Sequence, residues 1–345
     1  MIYLLSFIAL FFIAFTAVGM FLSGPRYRGP VTDHFDGKTF FTPGGAKAKG
    51  LPDVLKWMTQ RKQGEWKPQM DLPVGEKPID TWSQGVRVTF VNHSTFLLQL
   101  NGLNVLTDPV WSERTSPFRF AGPKRMRPAG IHFQDLPQVH LVLLSHNHYD
   151  HLDIDTVKKI AAKWNPLFVV PLGVGLFLQQ HGISNFRELD WWGETSIAEK
   201  FVVQSVPAQH FSGRGTLDRD ATLWCGYVIK REGGNVYFAA DSGYNNKIFK
   251  EIGERCSPQL SIIPIGAYKP EWFMSPIHCS PEEAVQIHLD LNSPQSIATH
   301  YGTFPLADDG YADPLSDLTK ALHARGVTSE KFLALKEGEA RVFLS

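Results

Sequence analysis

The stretch that most restricts what this chain can fold into lies near its middle. His140–Leu144 reads as a β-strand, and its unbroken apolar run after His140 is typical of a strand covered on both faces. Ser145-His146-Asn147-His148-Tyr149-Asp150-His151-Leu152-Asp153 follows at once, so four candidate ligands fall within six positions. His146 and His148 stand two apart and point the same way on extended chain. Asp150 and His151 come where the chain must turn into a helix starting at Ile154, and that turn swings them toward a second point near the first. Neutral imidazole and carboxylate suit Zn²⁺ or a similar borderline divalent ion. A closed structural zinc site usually recruits cysteine. None is present here, which favours an open, catalytic site. Asp153 suits another task, capping the following helix.

Two ions need further ligands. His210 closes the run Phe201–Gln209, Asp241 closes Val236–Ala240, and His300 closes Ser296–Thr299. Each stands just beyond an apolar strand. Strand ends converge on one rim in layered α/β folds, so these three are expected to join the loop.

The composition is compatible with such a fold. The chain has 345 residues, 43% hydrophobic and 20% charged, enough for a sizeable core and against global disorder. Lys+Arg and Asp+Glu balance at 34 each, which argues against a nucleic-acid partner. Cys225, Cys256 and Cys279 are too few and too scattered for a disulfide framework. An odd number of thiols fits a reducing compartment.

Met1–Leu22 carries no charge. As a helix it would span about 33 Å, against a hydrocarbon core of about 30 Å. A cleaved secretory peptide would need a basic start and a small-x-small site, and neither is present. Positive charge appears only from Arg26 onward, and the positive-inside rule then places the main domain in the cytoplasm. The expected organisation is a single-pass transmembrane anchor over 1–22, a tether and cap over 23–85, and the main domain over 86–345. In the cap, Pro52–Gln63 reads as a helix whose Leu51, Leu55, Trp57 and Met58 suit packing or a bilayer surface.

From Val86 onward, short strands alternate with helices at Ile154–Lys163, Val174–Gln180, Lys247–Arg255, Pro281–Leu291 and Pro314–Ala324. This is an α/β pattern with helices covering sheets. Ser280 with Glu283 forms a capping box, and Pro281 suits the first helical position.

The order H-x-H-x-D-H, His, Asp, His over Val86–Ser345 resembles the metallo-β-lactamase superfamily. Longer strings resemble its N-acylphosphatidylethanolamine-hydrolysing phospholipase D group. These are Thr107-Asp108-Pro109-Val110, Gly122-Pro123-Lys124-Arg125, Ala240-Asp241-Ser242-Gly243-Tyr244, Trp272-Phe273-Met274, the segment from His278 through Pro281-Glu282-Glu283-Ala284, and His300-Tyr301-Gly302-Thr303-Phe304. The resemblance implies a four-layer αββα sandwich and two zinc ions per chain. His146, His148 and His210 would hold one ion, Asp150, His151 and His300 the other, with Asp241 between them. Asp108 would orient a ligand histidine from behind. Tyr149 and His278 would approach the phosphate of a membrane phospholipid, and His278 and Asp150 would serve the chemistry. His93, in Val91-Asn92-His93-Ser94-Thr95, reads as a buried structural histidine. Phe211-Ser212-Gly213-Arg214 departs from the animal enzymes, lacking their lysine and extra aromatic. The reaction implied is in-line attack of a metal-activated water on a phosphodiester. The competing readings are a metal-dependent lactonase acting on a small soluble ester, resembling the ascorbate-6-phosphate lactonase group, and a non-enzymatic membrane-tethered binding protein.

Overall fold

The computed structural model describes Ser6 and residues 16–344. Helix α1 (Leu51–Gln60) precedes two seven-stranded sheets. The first opens as an antiparallel meander, β1 (Val86–Asn92), β2 (Thr95–Leu100) and β3 (Leu103–Thr107). It continues in parallel through β4 (Leu141–Leu143), α2 (Ile154–Trp164), β5 (Leu167–Pro171), α3 (Val174–Gln180) and β6 (Phe186–Leu189). The second sheet repeats the scheme. β7 (Glu194–Ala198), β8 (Phe201–Val206), β9 (Gly226–Arg231) and β10 (Asn235–Phe238) are antiparallel. After α4 (Asn246–Cys256), β11 (Pro258–Pro264) adds in parallel, followed by α5 (Glu271–Met274), α6 (Pro281–Asp290), β12 (Gln295–Thr299), α7 (Asp313–Arg325) and β13 (Phe332–Leu333). β14 (Ala340–Phe343) returns to the first sheet beside β1, with Val86 opposite Phe343.

Strand alternation sorts the core. Leu141 and Leu143 of β4 face inward, into one cluster with Val203, Tyr227, Phe238 and Ile262 of the second sheet. Val142 and Leu144 face outward onto Val157, Ile160 and Leu178 of α2 and α3. This is why the run is apolar at every position. On the far side α6 packs on β11, and α4 and α7 pack on α6. The layers are helix, sheet, sheet, helix, as expected.

Caps fall where the sequence places them. Asp153 Oδ1 accepts from Thr156 N at 3.4 Å and starts α2. Ser280 Oγ accepts from Glu283 N while Glu283 Oε2 accepts from Ser280 N at 2.8 Å. Such caps stabilise a helix by about 1 kcal/mol, and here they fix the chain on either side of the functional rim.

The segment before β1 lies against both halves. Phe35 and Phe40 pair as an isolated bridge and bury themselves with Ala208, Leu223 and Trp224. In α1, Trp57 stacks on Phe273 with ring centroids 5.0 Å apart, and its Nε1 donates to Asp308 Oδ1 at 3.1 Å. Leu51, Leu55 and Met58 face outward.

His34 fastens this segment. Its Nδ1 lies 2.6 Å from Asp33 Oδ1, its Nε2 2.7 Å from Asp190 Oδ1, and its ring stacks on Trp191. Burial pushes the imidazole pKa down, but Asp190 and Asp33 outweigh it and raise it above the usual 6.5. A raised folded-state pKa gives stability that is full below about 6.5 and fades as pH climbs through the raised value. His34→Gln is therefore expected to lower the denaturant midpoint clearly at pH 6 and much less at pH 9. A gap that stays constant between the two pH values contradicts this.

The expected membrane anchor is corrected. Among the described residues no helix is long and apolar enough to cross a membrane. Residues 1–5 and 7–15 of the apolar run lie outside the described residues. Residues 16–22 are helical, and there the Gly19 carbonyl accepts from Thr216 N at 3.2 Å, a contact of this helix end with the loop after His210. Membrane anchoring is not supported, and the cytoplasmic placement that depended on it falls with it.

Candidate metal centre

Five strands end on one rim. β3 is followed directly by Asp108, β4 by Ser145–His151, β8 after a short turn by His210, β10 by Ala239-Ala240-Asp241, and β12 by His300. β8, β10 and β12 run in the same direction, so their carboxyl ends must share an edge. The backbone is strained here. φ is +33° at Asp108, +53° at Ala240, +62° at His300 and +46° at His93. Each such residue costs about 1–2 kcal/mol. Strain gathered at one edge marks a site whose surroundings over-determine its geometry.

Asp241 Oδ2 is the centre of the arrangement. It lies 3.1 Å from His151 Nε2, 3.2 Å from His300 Nε2, 3.7 Å from His210 Nε2, 3.8 Å from His278 Nδ1 and 4.0 Å from His146 Nε2. On one side, His148 Nδ1 stands 2.9 Å from His146 Nε2 and 3.2 Å from His210 Nε2. On the other, Asp150 Oδ2 is 3.4 Å from both His151 Nε2 and His300 Nε2. The structure thus brings His146, His148, Asp150, His151, His210, Asp241 and His300 together in two adjoining groups with Asp241 facing both. His278 joins His210 and Asp241.

The far side of each ring is held. Asp108 is fully buried. Its Oδ2 accepts from His151 Nδ1 at 2.7 Å and from Ser145 Oγ at 2.6 Å, and its Oδ1 accepts from Ser145 N at 2.8 Å. Ser145 Oγ in turn lies 2.9 Å from His146 Nδ1. One carboxylate therefore orients two rings, directly and through a hydroxyl. His210 Nδ1 donates to the Ile277 carbonyl at 2.8 Å.

Sequence reasoning placed His93 outside the site. It is buried, as expected, but its Nε2 lies 2.9 Å from Asp150 Oδ2, and its carbonyl accepts from His300 N and Thr299 Oγ1. It belongs to the group with Asp150, His151 and His300. The available signal was a histidine in the tight turn between β1 and β2, where Gly or Asn is the usual occupant.

Burial and charge divide the imidazoles. Burial lowers His148 to about 3 and His210 to about 4, and pushes His146 and His278 well down. These rings stay neutral, the form that binds cations. His300 is also buried, but Asp241 and Asp150 raise it to about 9, and Asp241, Asp150 and Asp108 hold His151 well above its usual range. Without a cation both are imidazolium at pH 7. Loading the site must expel those protons. Close to two protons per chain are expected to be released at pH 7, with affinity rising toward pH 9. Calorimetry in buffers of different ionisation enthalpy reads this directly, and zero net release contradicts it.

Two clefts lie near the cluster, each lined by one of the expected substrate contacts, and of the two only the second is lined by a member of the cluster, His278. A cleft of about 700 Å³ runs behind the ligand loop and is lined by Tyr149, Leu152, Arg214, Trp111, Phe118 and Phe177. A second, of about 410 Å³, is lined by His278, Tyr244, Tyr268, Glu271 and Glu283.

The donor set fits divalent cations. His151 Nε2, His300 Nε2, Asp241 Oδ1 and His278 Nδ1 are all buried without a well-formed hydrogen bond, each of the three ring nitrogens having only charge contacts, one of them with Asp241 Oδ2. An unpaired buried polar atom costs about 1–3 kcal/mol. Four at one point, all nitrogen or carboxylate oxygen, are what a cation would satisfy.

Comparison with known proteins agrees. Residues 103–301 match the Beta-lactamase superfamily domain, and the chain belongs to that family as a metal-dependent hydrolase of the metallo-β-lactamase type. The N-acyl-phosphatidylethanolamine-hydrolyzing phospholipase D 1 of Caenorhabditis elegans is 36% identical over 327 residues, covering 88% of this chain and 91% of that protein. A metal-dependent hydrolase of Methanopyrus kandleri is 31% identical, covering 64% of this chain and 86% of that protein. Among solved structures, a metallo hydrolase of Ignicoccus hospitalis shares the fold with a TM-score of 0.58 at 23% identity, over 75% of this chain and 99% of that one.

Proposed function

We propose that this chain is a dinuclear zinc phosphodiesterase that cleaves N-acylphosphatidylethanolamine-like phospholipids in the manner of a phospholipase D. The observation that carries the metal reading is the position of Asp241, one buried carboxylate facing five imidazoles from two ligand groups. The substrate reading is supported by the nematode relative, which matches nearly the whole chain.

His146, His148 and His210 would hold one ion and Asp150, His151 and His300 the other, with Asp241 shared. Such ions supply Lewis acidity toward a phosphoryl oxygen and lower the pKa of water. Nitrogen and carboxylate donors without cysteine suit zinc. The protein's own part is orientation. Asp108 and Ser145 hold His151 and His146 in their tautomers. Asp150, beside His151 and His300, would accept a hydrogen bond from the attacking water. His278 borders the 410 Å³ cleft and would hold a phosphoryl oxygen. Tyr149 faces the other cleft and would contact the phosphate.

The test is mass spectrometry of lipid products after zinc-loaded protein is incubated with mixed phospholipids. The expected products are phosphatidic acid and the free N-acylated amino alcohol. Intact phospholipid, with rapid opening of lactones instead, would overturn the substrate reading and leave the metal reading standing.

A further inference from the structure

The ligand loop is tied to the loop after His210 by a residue that touches no ligand ring. Arg214 Nη1 donates to the Asn147 carbonyl at 2.7 Å and to the Leu152 carbonyl at 3.0 Å. Those carbonyls lie on either side of His148, Asp150 and His151. A second tie runs beside it, with Gly213 N donating to Asn147 Oδ1 at 2.8 Å. The guanidinium lies 3.8 Å from the Tyr149 ring centroid and 4.8 Å from that of Phe177, and Tyr149 Oη donates back to the Arg214 carbonyl at 3.2 Å. Its two closest hydrogen-bond acceptors are these backbone carbonyls, with Asp218 and Asp153 adding charge attraction at longer range.

We infer that Arg214 is a positioning residue for the metal centre, because one guanidinium nitrogen fastens both ends of the Asn147–Leu152 loop to the loop that carries His210. The geometry gives the reason. His148, Asp150 and His151 come from a loop only nine residues long between β4 and the α2 cap. Its turn exposes carbonyls that no strand satisfies. His148 must meet His210, which the other loop supplies, and a shift of either loop separates their nitrogens from the 3.2 Å seen. A cationic donor shared by two carbonyls holds them in register, as orienting partners of metal ligands do elsewhere. The same contact sets the pose of Tyr149. The inference rests on the reading of this cluster as a metal centre.

The test compares Arg214→Met with Arg214→Lys. Methionine keeps much of the packing between Tyr149 and Phe177 and removes the donor. Lysine restores one nitrogen that can reach both carbonyls. Zinc affinity is measured by competition with a chromophoric chelator, and the visible spectrum is recorded with cobalt bound in place of zinc. Arg214→Met is expected to bind zinc about tenfold or more weakly and to show a changed cobalt spectrum. Arg214→Lys is expected to recover most of both. Wild-type affinity and an unchanged spectrum in Arg214→Met, with only the melting temperature lowered, overturn the proposal. If Arg214→Met does not fold, Asn147→Ala carries the test, since it cuts the parallel tie at Gly213. It is expected to weaken zinc binding in the same direction, and unaltered affinity there overturns the proposal equally. A wild-type protein that takes up no divalent cation overturns the metal reading and this inference together, whatever it does to lipids.

Discussion

Asp241→Ala is expected to abolish hydrolysis and to leave less than one divalent cation per chain. In the cation-free protein the Asp241 carboxylate is the charge that five rings share, and its own pKa is held well below the usual range against burial, by His151, His300 and His278. Removing it leaves His151 and His300 to Asp150 and Asp108. It also removes the one carboxylate among the described residues that faces both ligand groups. Loss of one member of a buried charged network costs about 3–5 kcal/mol, so Asp241→Asn is the cleaner variant. It keeps the shape, removes the charge, and should lose the cations with less loss of stability. Metal analysis beside a turnover assay reads both. Full metal content with retained turnover in either variant contradicts the scheme.

Asp108→Asn is expected to weaken cation binding by about 10- to 100-fold without touching a ligand. The Asp108 carboxylate accepts three hydrogen bonds, and the amide offers one acceptor oxygen and a donor group in their place. The amide NH2 then faces either His151 Nδ1–H and the Ser145 hydroxyl together, or the Ser145 N–H. A buried donor without an acceptor costs about 1–3 kcal/mol, so the denaturant midpoint falls as well. The effect reaches both ligand groups, because Ser145 passes the constraint to His146. A chelator competition titration gives the affinity. Wild-type affinity in Asp108→Asn would show that the rings need no orienting carboxylate.

The residues that build the rim were legible because chemistry and pattern coincide there. The H-x-H-x-D-H string is rare, and it follows a strand whose apolar run announces burial on both faces. His210, Asp241 and His300 could be found because each follows an apolar strand. The strands with the weakest pattern are β6, β7, β13 and β14, which are the four edges of the two sheets. An edge strand packs one side at most and is kept short or polar against aggregation. β7 alternates between exposed and half-buried along its whole length, and β13 has two residues. Their sequences carry little of the signal that marks a central strand.

His93 and Arg214 were hidden for another reason. Their contacts are set by chain crossing, not by local pattern. His93 meets Asp150 from 57 positions away, and Arg214 meets Asn147 from 67. No spacing along one element reports such a meeting. The anchor failed differently. Apolar length was read as a span, but among the described residues no helix qualifies, and the described end of the run contacts the loop beside Arg214.

The most direct test of the central claim is anomalous scattering from crystals of the zinc-loaded protein. The account predicts two peaks, one among His146, His148 and His210 and one among Asp150, His151 and His300, with the Asp241 carboxylate between them. No peak at this cluster, or zinc bound only elsewhere on the chain, would contradict it.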